Sequence, residues 1–226
     1  MRYHSPSSFV VAAVIALLAS HASADIIGVS GAATLIPRPP DATAGAIESN
    51  TTAFVWNEAQ GVTLAAPITI DASAPGLYDS ALAFEFSTLP AGSIVSSHMI
   101  HFDTVGSQLH WVNGSVTLDA DIIGVIAWNR PGQRHLGESD APLGLDTLYE
   151  FDRDRRGVFD NGDGTIPGDE MFIISPDRRT LTFNLGVNFP YDQIRIVTTA
   201  VPEPGSLALL SLMGFAGLRR RREARR

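Results

Sequence analysis

The chain of 226 residues contains no cysteine and no lysine. Without cysteine, thiol catalysis and disulfide staples are both excluded, so the fold must be held by burial alone or by burial plus a metal. Without lysine, every basic residue is an arginine, and six of the 16 (Arg219, Arg220, Arg221, Arg222, Arg225 and Arg226) lie beyond Leu218. Residues 25–218 hold 9 arginines against 23 aspartates and glutamates, a formal net charge of −14. Such a body is repelled by nucleic acid, so no nucleic-acid partner is expected. It attracts divalent cations or a cationic matrix instead. Also missing are a G-x-S-x-G nucleophile elbow, a G-x-G-x-x-G loop, a P-loop and an H-E-x-x-H zinc helix, and the expectation is of a protein that is not an enzyme.

What is present reads as strand. Hydrophobic residues make up 45% of the chain and charged residues 18%, which supports a real core in one medium domain. In "TLTFNLGV", Leu181, Phe183, Leu185 and Val187 alternate with Thr180, Thr182 and Asn184, giving one buried and one solvated face. It follows "MFIIS" across Pro176-Asp177, the arrangement of a hairpin. "GSVTLDADIIGVIAWN" offers two more runs, with Val116 and Leu118 inward and Ser115, Thr117 and Asp119 outward. "TTAFVWNE", "GVTLAAPITID", "ALAFEFSTL", "SIVSSHMIHFDTV" and "DQIRIVTTA" are further candidates. Roughly eight to ten short strands between Gly, Pro and Asp turns, with no long helical periodicity outside the termini, predict an all-β fold. The expected architecture is a single β-sandwich or jelly-roll-like domain over residues 25–200.

The termini carry the addressing. Arg2, an apolar stretch from Phe9 to Ala19 and the Ala22-Ser23-Ala24 site before Asp25 form the pattern of a cleavable signal peptide over residues 1–24. A buried first helix is the alternative reading. At the other end, residues 201–226 run Val201-Pro202-Glu203-Pro204, then the apolar stretch Leu207–Leu218, then arginines. That stretch is 12 residues, whereas a helix crossing the full hydrocarbon core needs roughly 20, so it predicts a short C-terminal hydrophobic helix acting as a marginal, transient anchor. Arg219, Arg220, Arg221 and Arg222 would stay cytoplasmic and leave the acidic body outside. Pro202 and Pro204 mark an extended segment that a processing enzyme can reach. The order of these three elements, paired with an N-terminal signal, resembles the PEP-CTERM sorting signal of exported bacterial proteins. The resemblance implies recognition of Pro202-Glu203-Pro204 by an exosortase-like membrane protease, cleavage nearby, and delivery from a membrane-anchored precursor to the cell surface or an exopolysaccharide matrix. "VSSHMIHFDTVG", "GSVTLDADIIGVI" and "DQIRIVTTAVPEPG" resemble a body type common among such proteins, which implies an exported β domain of unassigned role.

Candidate chemistry is sparse. His98 and His101 are three apart, which on a strand places them on opposite faces and disfavours a shared metal. Asp119 and Asp121 could share a face, a weak basis for a glycosidase. The loop "FDNGDGTIPGDE" places Asn161, Asp163, Thr165 and Glu170 at EF-hand-like positions 3, 5, 7 and 12 counted from Phe159, with Gly164 at 6. Asp160 falls one residue late for position 1, and Asp152, Asp154 and Asp169 could complete an irregular Ca2+ site. The simpler reading is an Asn-Gly and Asp-Gly turn, with no cofactor. Trp56, Trp111 and Trp128 are either core residues or a platform for sugar rings. Asn50 and Asn113 head N-x-S/T sequences. Two functions follow: a non-enzymatic exported surface or extracellular-matrix protein, and alternatively a carbohydrate- or calcium-binding β-sandwich module.

Overall fold

In the computed structural model, the described residues are 21–22, 24–151, 156–158, 170–188 and 191–202. The alternating segments form strands. In chain order these are β1 (His21–Ala22), β2 (Ile26–Gly31), β3 (Ala33–Leu35), β4 (Ala53–Asn57), β5 (Val62–Thr63), β6 (Ile68–Ile70) and β7 (Gly76–Tyr78). After a 3-10 turn at Ala81–Ala83 come β8 (Ser87–Leu89), β9 (Ile94–Asp103), β10 (His110–Leu118) and β11 (Ile122–Ile126). A short helix α1 (His135–Leu143) precedes β12 (Met171–Ile174), β13 (Thr180–Val187), β14 (Tyr191–Thr199) and β15 (Val201–Pro202).

Two sheets face each other, as the sequence predicts for a sandwich. One has five strands in the order β2-β10-β13-β12-β7; the other runs β11-β14-β9-β4-β3, with β5 also paired to β9. The hairpin across Pro176-Asp177 is present, with Ile174 opposite Leu181 and Phe172 opposite Phe183. Val112, Val116, Leu181, Phe183 and Leu185 of the first sheet bury against Val55, Ile100, Phe102, Ile194 and Ile196 of the second. This is the apolar term that holds a chain without disulfides. β2 passes from one sheet into the other at Gly31, where φ is 68° and a side chain would meet the Asn113 carbonyl at 2.6 Å. The chain continues as β3, which pairs in parallel with β4 and lies in the second sheet. Glycine is required there both for the left-handed backbone and for the close approach.

"ALAFEFSTL", expected as one strand, departs from that reading: only Ser87–Leu89 is extended. Phe86 sits at φ 44°, which interrupts the pleat. Phe84 instead turns inward against Phe172 and the edge of Trp128.

Among the described residues a third layer lies on one side only. The far face of the β14-β9-β4 sheet, carrying Val95, Met99, His101, Gln193, Arg195 and Val197, is covered by α1 and by the segments near Ala42 and Tyr149. β14 is consequently buried on both faces from Tyr191 to Thr198. Among the described residues the outer face of the five-stranded sheet has no such cover, and Leu77, Trp111, Asn113 and Thr182 on it are exposed.

Candidate functional site

The sequence-derived candidates distribute unevenly over this frame. Asp160, Asn161, Asp163 and Thr165 lie outside the described residues, as do Asp152, Asp154 and Asp169. Glu170 is described, and is buried just before β12. Among the described residues no group of three His, Cys, Asp or Glu is placed to hold a metal ion. Pro202 ends β15, whose two residues pair with His21 and Ala22; Glu203, Pro204 and Arg219, Arg220, Arg221 and Arg222 lie outside the described residues.

His98 and His101 do point to opposite faces. His98 shares its side of β9 with Ile100 and Phe102; its Nδ1–H donates to Asn57 Oδ1 at 2.7 Å, and Nε2 lies 3.3 Å from the Thr198 hydroxyl. His101 lies under the third layer, where Nδ1 accepts from Gln193 Nε2 at 2.8 Å. Burial pushes both imidazoles down to about 3, and at His101 the nearby Arg156 adds to the effect while the Ile47 backbone opposes it. Both rings are neutral core groups at physiological pH.

The third layer is riveted by charges that the sequence does not bring together. Arg195, fully buried, donates through Nε to Glu58 Oε2 at 2.7 Å and through Nη2 to Glu58 Oε1 at 2.9 Å and Asp140 Oδ1 at 3.0 Å. Arg156, also fully buried, donates Nη2 to Asp140 Oδ1 at 2.8 Å and Nε to Gln193 Oε1. The Tyr149 hydroxyl donates to Glu58, and its ring packs against both guanidinium groups, 4.6 Å from that of Arg156 and 5.4 Å from that of Arg195. Burial alone would lower the pKa of Arg195, but Glu58, Asp140 and Tyr149 together outweigh it and the net shift is upward. Burial and Glu58 together push the Tyr149 hydroxyl up. The charges are spent on one another, so this cluster fastens α1 and the Tyr149 segment to the sheet.

A second pin, His135 with Asp71, joins positions 64 residues apart, which no motif spacing would reveal. The His135 Nδ1 lies 2.6 Å from Asp71 Oδ1, and Asp71 Oδ2 accepts the backbone amides of Ala127 at 2.6 Å and Trp128 at 2.8 Å. The Asp71 carbonyl accepts from Glu85 N at 2.8 Å. Burial raises the Asp71 pKa, and the His135 and amide contacts pull against it. One aspartate thereby fixes three segments around Trp128.

The three tryptophans divide. Trp56 is fully buried beside Met99 and Tyr149, a core residue. Trp128 is half-buried, with the Arg130 guanidinium 4.6 Å from its ring centroid. Trp111 is 36% exposed on the outer face of the five-stranded sheet. Its ring lies over Gly186, where an added Cβ would come within 2.2 Å of it, so the strand glycine is the seat of the indole. From there the face continues in registered rows. Asn113 is opposite Asn184 and Asn184 opposite Met171; Ser30, Ser115, Thr182, Ile173 and Leu77 form one line across all five strands; Thr117 is opposite Thr180. The Ser30 and Ser115 hydroxyls are 2.8 Å apart and those of Thr117 and Thr180 3.3 Å. None of these residues is charged.

The body is thus an all-β sandwich with one riveted face and one that the described residues leave uncovered. Its last strand leads into a segment that comparison identifies: residues 200–222 match the family model of the PEP-CTERM protein-sorting motif. That motif implies export and processing by an exosortase, a membrane protein. No curated protein and no solved structure matches the chain. Among the described residues no helix is long and apolar enough to cross a membrane.

Proposed function

We propose that this chain is a non-enzymatic protein of the cell surface or extracellular matrix, released there when its membrane-held precursor is cut near Pro202-Glu203-Pro204. The observation that carries the reading is the sorting motif at residues 200–222, which begins where the body's last long strand, β14, ends at Thr199. A protease acting just beyond Pro202 would leave the two facing sheets whole. The internal chemistry supports a structural role: the buried Arg195, Arg156 and Glu58 and the partly buried Asp140 engage one another, and His98 and His101 are locked in neutral hydrogen bonds. Peptide mass spectrometry of the protein recovered from the cell surface tests this. No peptide containing Arg219–Arg222 is expected, and recovery of the intact C-terminus from the surface would overturn the proposal.

A further inference from the structure

We infer that the outer face of the five-stranded sheet binds an uncharged polysaccharide chain. The first argument is charge. The body carries a formal net charge of −14 over residues 25–218, yet Ser30, Trp111, Asn113, Ser115, Thr180, Thr182 and Asn184 present only hydroxyls, amides and an indole. Along β10 and β13 the first charged residues are Asp119 and Arg179, beyond the face's end. A polyanion is repelled by the body as a whole, and a cationic partner finds no carboxylate among the described residues of this face. A neutral partner is what the face accommodates.

The second argument is the kind of surface. Hydroxyls and amides both donate and accept, and they stand in rows spaced about 4.8 Å across the strands and about 7 Å along them. That array suits a ligand whose own groups are hydroxyls. Trp111, held flat over Gly186, supplies an apolar platform with a wet edge at one corner, which is how an aromatic ring receives the C–H face of a sugar. The apolar residues Met171, Ile173 and Leu77 lie at the other edge rather than at the centre, so the face lacks the central desolvated cluster of a protein–protein interface. From Trp111 to Thr117 the face runs about 20 Å, room for several sugar units of an extended chain.

The inference rests on the surface-or-matrix reading only for the setting in which glycan is met, and its test is independent of tail processing. The exported protein is run by affinity electrophoresis through gels containing a neutral β-glucan, mannan, galactan or dextran, with alginate as the polyanion. Retardation by at least one neutral glycan and none by alginate is expected. Trp111→Ala should weaken that binding at least tenfold, and Thr182→Glu, which puts a charge at an exposed central position, should abolish it. Thr182→Glu should keep the parent's melting temperature, because its side chain is exposed, and Trp111→Ala, which loses the packing on Gly186, is compared with the parent at a temperature where circular dichroism shows both folded. Retardation by no neutral glycan, retardation by alginate alone, or unchanged binding in Trp111→Ala overturns the inference. So does a dimer in sedimentation that Thr182→Glu dissociates, since the face would then be an interface between copies of the chain.

Discussion

Two buried neutral histidines should make this protein sensitive to mild acid. The ordinary imidazole pKa of 6.5 falls to about 3 at both His98 and His101 in the folded state, with burial the leading cause. Below pH 6.5 the unfolded chain takes up two protons that the folded chain refuses. Stability contributed by the neutral rings is therefore present above pH 6.5 and is lost as the pH falls toward 3. Each refused proton is worth about 1.36 kcal/mol per pH unit, so the pair gives a slope of about 2.7 kcal/mol per unit. Between pH 6.5 and 4.5 the loss reaches about 5 kcal/mol, comparable with the whole stability of many domains. Asp103 acts oppositely. Burial raises its carboxyl to about 6, so the folded state binds that proton first and offsets part of the loss as pH falls from 6 toward 3.8. Urea denaturation at pH 7, 6, 5 and 4.5, read by far-UV circular dichroism, gives the slope directly. His98→Gln or His101→Gln should remove about half of the histidine contribution whatever it costs at neutral pH. Flat stability across this range, or a double variant as acid-sensitive as the parent, would refute the reasoning.

Glu58→Ala should destabilise by about 3–5 kcal/mol, because it strands the Arg195 guanidinium in the interior without its bidentate partner. A denaturation midpoint shift worth less than about 1 kcal/mol would show that the network is not what fastens the third layer. The loop from Asp160 to Glu170 is expected to bind calcium weakly, at roughly 10⁻⁴ to 10⁻³ M, as extracellular modules of this chemistry do. At ten times the dissociation constant the added stability is about 1.4 kcal/mol, which Asp163→Ala should remove, and a melting temperature indifferent to calcium would leave the loop a turn.

The fold was legible wherever alternation coincided with burial. β13 is the clear case: Leu181, Phe183 and Leu185 face the core and Thr182 faces solvent. Alternation misleads on β14, where Ile194 and Ile196 alternate with Gln193 and Arg195. The pattern separates apolar from polar, not dry from wet. Arg195 is fully buried because Glu58, Asp140 and Ser139 arrive from remote parts of the chain to satisfy it, and Gln193 because Arg156, His101 and the Ala42 carbonyl do the same. "ALAFEFSTL" fails for the complementary reason. Its apolar residues alternate as a strand's do, but Asp71 holds the Glu85 amide at 2.8 Å and Phe86 takes a left-handed backbone, so long-range hydrogen bonding overrides local preference.

The outer sheet face was legible by residue and not by exposure. Ser115, Thr117, Thr180, Thr182 and Asn184 read as outward from periodicity alone, but Gln193 and Arg195 of the other sheet read the same way and are buried. What separates the two faces is which residues can bridge to a covering layer. Arg195 extends far enough to reach Glu58, Ser139 and the Leu136 carbonyl at once, so its face gains a helix and loops. Serine and threonine are too short to reach beyond their neighbours on the sheet, as the Ser30–Ser115 and Thr117–Thr180 pairs show, so they draw no cover from the described residues. Trp111 has that reach, and its ring folds down onto Gly186 instead of outward. A side chain long enough to recruit cover is therefore spent on the sheet's own surface, which keeps that surface flat and open to a ligand.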